Sequence, residues 1–160
     1  MILENYKDFL DELIKNINEK GIDLSNFYLD HFGYQSSSNE DYDNLIPEFK
    51  KIGTMVSEHI VGGRRVGIFK LNTPIIYNGK EIPAVEVVAP KEGQVCPSAL
   101  EHVEFVIDSD FDTFVKKYPG LNFDVSKVDQ PTFPMVTLKL SENTQVKFHL
   151  TPLLEIVGNE

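Results

Sequence analysis

The chain has 160 residues, with 15 Lys and Arg against 25 Asp and Glu, and this formal net charge of -10 repels nucleic acid and anionic lipid. Its lysines are scattered, and the densest pair, Lys116 and Lys117, falls at the end of a predicted helix where cations suit the dipole, so no basic patch is expected. No run approaches the roughly 20 apolar residues of a membrane helix, Met1 to Asn5 lacks the start of a secretory signal, and Cys96 is the only cysteine, so the expectation is a cytoplasmic protein without disulfides.

Apolar residues at Ile2, Leu3, Tyr6, Phe9, Leu10, Leu13, Ile14 and Ile17 mark one face of a helix from Ile2 to Lys20, stopped by Gly21. After a turn to Asn26, Phe27 to Gln35 reads as an aromatic-rich strand. Glu40 to Ile52 places Tyr42, Leu45, Ile46, Phe49 and Ile52 on one helical face, with Pro47 expected to distort or shorten it. Three strands follow, Thr54 to Val61, Arg64 to Leu71 and Ile82 to Ala89, separated by Gly62-Gly63 and by the turn Tyr77-Asn78-Gly79-Lys80. Lys91 to Ser98 is a linker. Beyond it come a strand from Leu100 to Ile107, a short helix from Asp110 to Tyr118 stopped by Pro119-Gly120, and strands over Phe123 to Val128, Met135 to Leu140 and Thr144 to Leu150.

Each half therefore reads βαβββ. The expected organisation is one α+β domain over 1–160, with an N-terminal helix and turn over 1–26, a first module over 27–90 and a second over 100–150. Leu29-Asp30-His31-Phe32 opens the first module and Leu100-Glu101-His102-Val103 opens the second, in the same place in each, which points to internal duplication.

Side chains alternate across a strand, so each strand sorts into two faces. Val103, Phe105 and Ile107 form a packing set and leave His102 and Glu104 opposite; Val85 and Val87 leave Glu86; Val146, Phe148 and Leu150 leave Lys147 and His149; Phe32 and Tyr34 leave His31. A concave sheet would bring these six together. Two imidazoles and a carboxylate with open positions suit Zn, Fe, Ni or Mn as divalent ions. Lys147 cannot ligate while protonated. His59, near a hairpin and unmatched in the other half, reads as a hydrogen-bonded or exposed residue.

From about Asp30 to His149 the sequence resembles the YecM-like family of the vicinal oxygen chelate superfamily. The resemblance rests on Asp30-His31, on Gly63-Arg64 followed by Phe69-Lys70-Leu71, on Val85-Glu86, on Glu101-His102-Val103-Glu104 and on Lys147-Phe148-His149. It implies paired βαβββ modules whose mixed sheets curl around a cavity, with a divalent metal held from the first, fourth and fifth strands by His31, Glu86 and His102. The usual fourth ligand, commonly Glu on the last strand, is replaced here by Lys147 and His149, leaving His149 as a ligand through its neutral imidazole or Lys147 as a contact to an anionic substrate or to Glu86. Gln35-Ser36 stands where a more basic stretch is expected, and Thr132-Phe133-Pro134 departs from the expected loop before the seventh strand; both departures concern the substrate.

Members of the superfamily chelate two adjacent substrate oxygens and stabilise an enolate, an oxyanion or bound dioxygen. The implied function is a metal-dependent isomerase or oxygenase acting on a small anionic oxygenated metabolite, with Glu104 as base or orienter and Arg64 with Lys147 holding negative charge. Arg64 also reads simply as a hairpin residue. The alternative is a non-catalytic metal or small-ligand binding module, and a third reading is an interaction protein with an acidic surface. Both modules lie in one chain, so a monomer can complete the cavity.

Overall fold

The computed structural model describes residues 2–158, beginning with α1 (Tyr6–Glu19), whose Leu10, Leu13 and Ile17 are buried in the main core. Each such side chain removed from water contributes roughly 1.5–3 kcal/mol. Gly21, at φ 85, supplies the left-handed residue that ends the helical segment.

The first module runs β1 (Tyr28–Gln35), α2 (Asn39–Lys50), β2 (Gly53–Val61), β3 (Arg64–Tyr77) and β4 (Lys80–Val88). Ser38 caps α2 by accepting a hydrogen bond from the Asp41 amide at 2.9 Å, and the helix continues through Pro47 to Lys50. The second module runs β5 (Ala99–Val106), α3 (Phe111–Lys116), β6 (Val136–Lys139) and β7 (Gln145–His149), followed by α4 (Leu153–Gly158), which the sequence pattern did not announce.

One difference from the expected order lies between α3 and β6. The predicted strand over Phe123 to Val128 is reduced to a single bridge between Asp124 and Thr137. Asp124 Oδ1 accepts from the Ser126 amide at 2.9 Å and from its hydroxyl at 2.6 Å, and the Val128 amide turns back to the Val125 carbonyl. This Asx-turn chemistry diverts the backbone from a ladder despite the β-favouring Phe and Val.

All seven strands join in one curled mixed sheet of order β2-β3-β4-β1-β5-β7-β6. β1 runs parallel to β4, β5 runs parallel to β7, and β1 meets β5 antiparallel at the centre. The two halves thus meet along the strands that carry His31 and His102. One face of the sheet holds the main core, where the tilted rings of Phe114 and Phe148 pack with centroids 4.6 Å apart and Phe32, Phe49, Phe69 and Phe105 are fully buried. The other face carries a smaller cluster of Val66, Ile68, Val88 and Leu153, with Phe133 packed against it. No helix among the described residues is long and apolar enough to cross a membrane.

Candidate metal centre

Strand register assembles the polar face. His31 lies between Ala84 of β4 and Glu104 of β5, while Gly33 lies between Glu86 and His102; β7 then sets Gln145 opposite His102 and Lys147 opposite Glu104. Cross-strand neighbours touch, so the four strands place His31, Glu86, His102, Glu104 and Lys147 on one patch. Gly33 is required for close approach: the His102 ring lies where a β-carbon on residue 33 would stand.

His31 and His102 are 0% and 1% exposed, and their ring centroids are 6.1 Å apart. His31 Nε2 is 3.9 Å from one oxygen of Glu86, and His102 Nε2 is 3.6 Å from the other. One ligand atom from each of the three falls within 4.8 Å of the other two. Ligands about 2.0–2.2 Å from a common ion stand roughly 3–4.4 Å from one another, so the spacing is that of a cation site needing only a slight contraction.

The two Nδ1 atoms are already spoken for. His31 Nδ1 is 2.6 Å from Asp30 Oδ2, and His102 Nδ1 is 2.5 Å from Glu101 Oε2. A carboxylate on Nδ1 fixes the ring and leaves Nε2 for a metal. The Nε2 atoms of His31, His102 and His149 have no hydrogen-bond partner among the described residues. Glu104 Oε2 touches His31 Nε2 without hydrogen-bond alignment. Buried nitrogens left this way fit a divalent ion better than they fit a closed hydrogen-bond network.

Asp30 and Glu101 reach their histidines because both sit at irregularities of the β1–β5 ladder. The register passes from Leu29 to His31 on β1 and from His102 to Leu100 on β5, skipping the acid in each case. Two residues opposing one lets neighbouring acid and imidazole lie together. Strict alternation assigns them to opposite faces, so their role is hidden in the sequence even though the Asp-His and Glu-His repeat is visible.

Charge follows geometry. Burial pushes Asp30 upward, but His149 and His31 outweigh it and hold the carboxyl down at about 2. Glu101 is likewise raised by burial and brought down to about 2 by His102, with help from Lys147 and Gln145. His31 loses basicity by burial but is driven well above the ordinary histidine range by Glu104 and Asp30. Glu104, opposed by burial, is held well below the usual carboxylate range by His31, His149 and Lys147. His31 thus stands between two carboxylates, Asp30 and Glu104, that favour its protonated form.

Of the residues singled out from sequence, His31, Glu86 and His102 converge, with Glu104 and Lys147 beside them. His149 is buried but stands with Asp30, its Nε2 3.2 Å from Oδ2, in a second group of Asp30, His31 and His149. Asp30 also accepts the Leu153 amide at 3.0 Å, tying α4 to this corner. By register Lys147 occupies the place in the second half that Glu86 holds in the first, each lying opposite the residue two beyond its histidine. Arg64, at the start of β3, lines the cavity above Glu86. His59 contacts Ser57 on edge strand β2 and packs its ring at 6.3 Å from Phe133, apart from the three converging side chains. Lys91 and Lys127, unmarked in the sequence, line the same cavity as Arg64.

A family model described as YecM protein matches residues 1–151. Protein YecM of Escherichia coli (strain K12) is 26% identical over 165 residues, covering 94% of this chain and 86% of its own length. Among solved structures, the structural-genomics Protein EC4020 aligns with a TM-score of 0.82 and 23% identity over 99% of this chain and 91% of that one. Methylmalonyl-CoA epimerase of Streptomyces coelicolor, solved as a variant in complex with 2-nitronate-propionyl-CoA, aligns with a TM-score of 0.52 and 13% identity over 78% of this chain and 98% of that one, a likeness of fold.

Proposed function

The chain belongs to the YecM family, and on that premise we propose a divalent-metal-dependent enzyme of isomerase or oxygenase type that acts on a small anionic oxygenated metabolite. The observation carrying this reading is a pair of buried imidazoles, each with Nδ1 given to a carboxylate and Nε2 turned toward Glu86. The nitrogen and carboxylate donors suit Zn, Fe, Ni or Mn. That a fold neighbour is an epimerase in complex with 2-nitronate-propionyl-CoA agrees with a small-molecule substrate.

When bound, the ion supplies Lewis acidity to two adjacent oxygens of the substrate. His31, Glu86 and His102 hold it, and Asp30 and Glu101 keep both rings in the ligating tautomer. Glu104, buried beside His31, serves as base or as orienter of the substrate. Lys147 lies opposite Glu104 and faces negative charge as it develops. His149, held beside Asp30, orients the His31 pair rather than completing the ligand set. All of these groups come from one chain, which supports a monomer as the functional unit, and the lone cysteine supports a reducing cytoplasm.

The test is metal analysis after repletion with Fe(II), Mn(II), Ni(II) or Zn(II) and removal of excess ion. The parent should keep about one equivalent, and His102→Ala should keep none. A parent without stoichiometric ion, or a His102→Ala variant that retains it, would overturn the reading.

A further inference from the structure

Lysines scattered along the sequence gather in space. Arg64 at the start of β3, Lys91 in the linker after β4, Lys127 in the turn before β6 and Lys147 on β7 come from four segments and together line two contiguous cavities of about 130 Å³ and 540 Å³. The smaller one reaches Glu86 and has an apolar wall that includes Val66, Phe133 and Met135. The larger opens beyond the cations toward Gln94 and Gln145.

In a chain of net charge -10, four cations around one opening need an explanation. None of the four makes an ion pair with an acidic side chain among the described residues. The acids nearby are mostly committed elsewhere: Glu101 to His102 and Gln145, Asp124 to Ser126, and Glu86 to the imidazole pair. Glu92 alone on the rim is unengaged, on an exposed turn beside Gly93. Lys127 is pushed below the ordinary lysine range by burial and then by repulsion from Lys147, Lys91 and Arg64, which together outweigh the attraction of Asp124.

We propose that Arg64, Lys91, Lys127 and Lys147 form a cationic wall that binds a second anionic group, a phosphate or a further carboxylate, on the metabolite whose oxygens meet the ion. The substrate class is then a short oxygenated carbon body, lying in the smaller cavity against Val66 and Met135, with its remote anion in the larger one. This rests on the metal reading for the position of the other end of the molecule, while the wall itself stands without the ion. Arg64 offers a planar fork to either anion, and the lysines add point charges from the other sides.

The experiment titrates inorganic phosphate and malonate into chelator-stripped protein by calorimetry, with metal content measured separately on repleted samples. The parent should bind one of the two probes, and Lys127→Gln combined with Lys91→Gln should weaken that binding by about tenfold or more while leaving metal content and melting temperature unchanged. Tighter binding of phosphate assigns a phosphorylated metabolite, and tighter binding of malonate a polycarboxylate. A parent that holds the ion yet binds neither probe, or whose binding the double substitution leaves intact, overturns the wall alone. A parent that takes up no ion but binds a probe at these lysines overturns the metal reading and leaves the wall standing.

Discussion

In the first half β4 sets Glu86 opposite Gly33, two residues beyond His31, whereas in the second half β7 sets Lys147 opposite Glu104, two residues beyond His102. The acid-histidine pair, by contrast, is the same in both halves, down to the skipped residue that turns the acid toward the ring. What matches is what any divalent ion requires of two imidazoles. What differs divides the site into a side with one carboxylate and a glycine against which the His102 ring packs, and a side with a carboxylate-lysine pair. The two halves thus match in their acid-histidine pairs and differ where Lys147 stands in place of Glu86.

The sharpest way to break the comparison is at its unequal pair, Gly33 and Glu104. Gly33→Ala pushes a β-carbon into the His102 ring, so it should abolish ion binding and lower stability by about 1–3 kcal/mol through overpacking. Glu104→Ala at the equivalent place introduces no clash, though it removes the carboxylate beside His31, and should leave the ion in place. Equal ion loss in both variants, measured by metal content, would contradict the assigned crowding.

The matched pair is the next target. Asp30→Asn and Glu101→Gln should each cost about 10–100-fold in ion affinity, read by competition with a chromogenic chelator. The two should part in the metal-free protein, because only Asp30 also holds the Leu153 amide and neighbours His149. Loss of that buried anchor, on the order of 1–3 kcal/mol, should lower the melting temperature for Asp30→Asn more than for Glu101→Gln.

Acid should affect the two halves alike. Asp30 and Glu101 are held at about 2, below their ordinary 3.8 and 4.5. Their contribution is fully present above those ordinary values and is lost as pH falls through the folded ones. Chemical denaturation of metal-free protein should therefore show stability falling from about pH 4.5 toward 2, and a smaller slope there for either single variant. His31 works in the opposite sense: its raised value gives stability below the ordinary histidine value of 6.5, lost as pH climbs through the raised one. Bound ion should erase that alkaline loss by replacing the proton.

The smallest expected change is at Lys147. Lys147→Met removes a cation beside the centre and should tighten ion binding by a few-fold, in keeping with roughly 1 kcal/mol of repulsion between partly screened charges. Unchanged or weaker ion binding would mean that Lys147 holds the ligands in place rather than opposing the ion.

Much of this was legible in the sequence because strand alternation is strict where strands are regular. Val103 and Phe105 against His102 and Glu104, or Val146 and Phe148 against Lys147 and His149, sort correctly on period two alone. Where the ladder slips, the same rule fails, which is why Asp30 and Glu101 showed as a repeated motif without a role. Gly33 carried no sequence signal, since its reason is a ring from another strand. The strand expected over Phe123 to Val128 was lost to the Asp124 and Ser126 turn, and that turn places Lys127 at the cavity. The basic patch was invisible because its four members are far apart in the chain and meet only through the tertiary fold.

The central seam also bears on how the protein folds. β1 pairs with β4, late in its own half, and with β5, which begins the other. His31, Glu86 and His102 therefore meet only after distant segments have closed on both sides of β1, and such non-local pairing makes for slow folding. An ion that needs the finished seam contributes little before that point. A bound ion would act on the reverse journey, slowing unfolding while leaving the folding rate nearly unchanged, and would be a latch on a structure assembled without it.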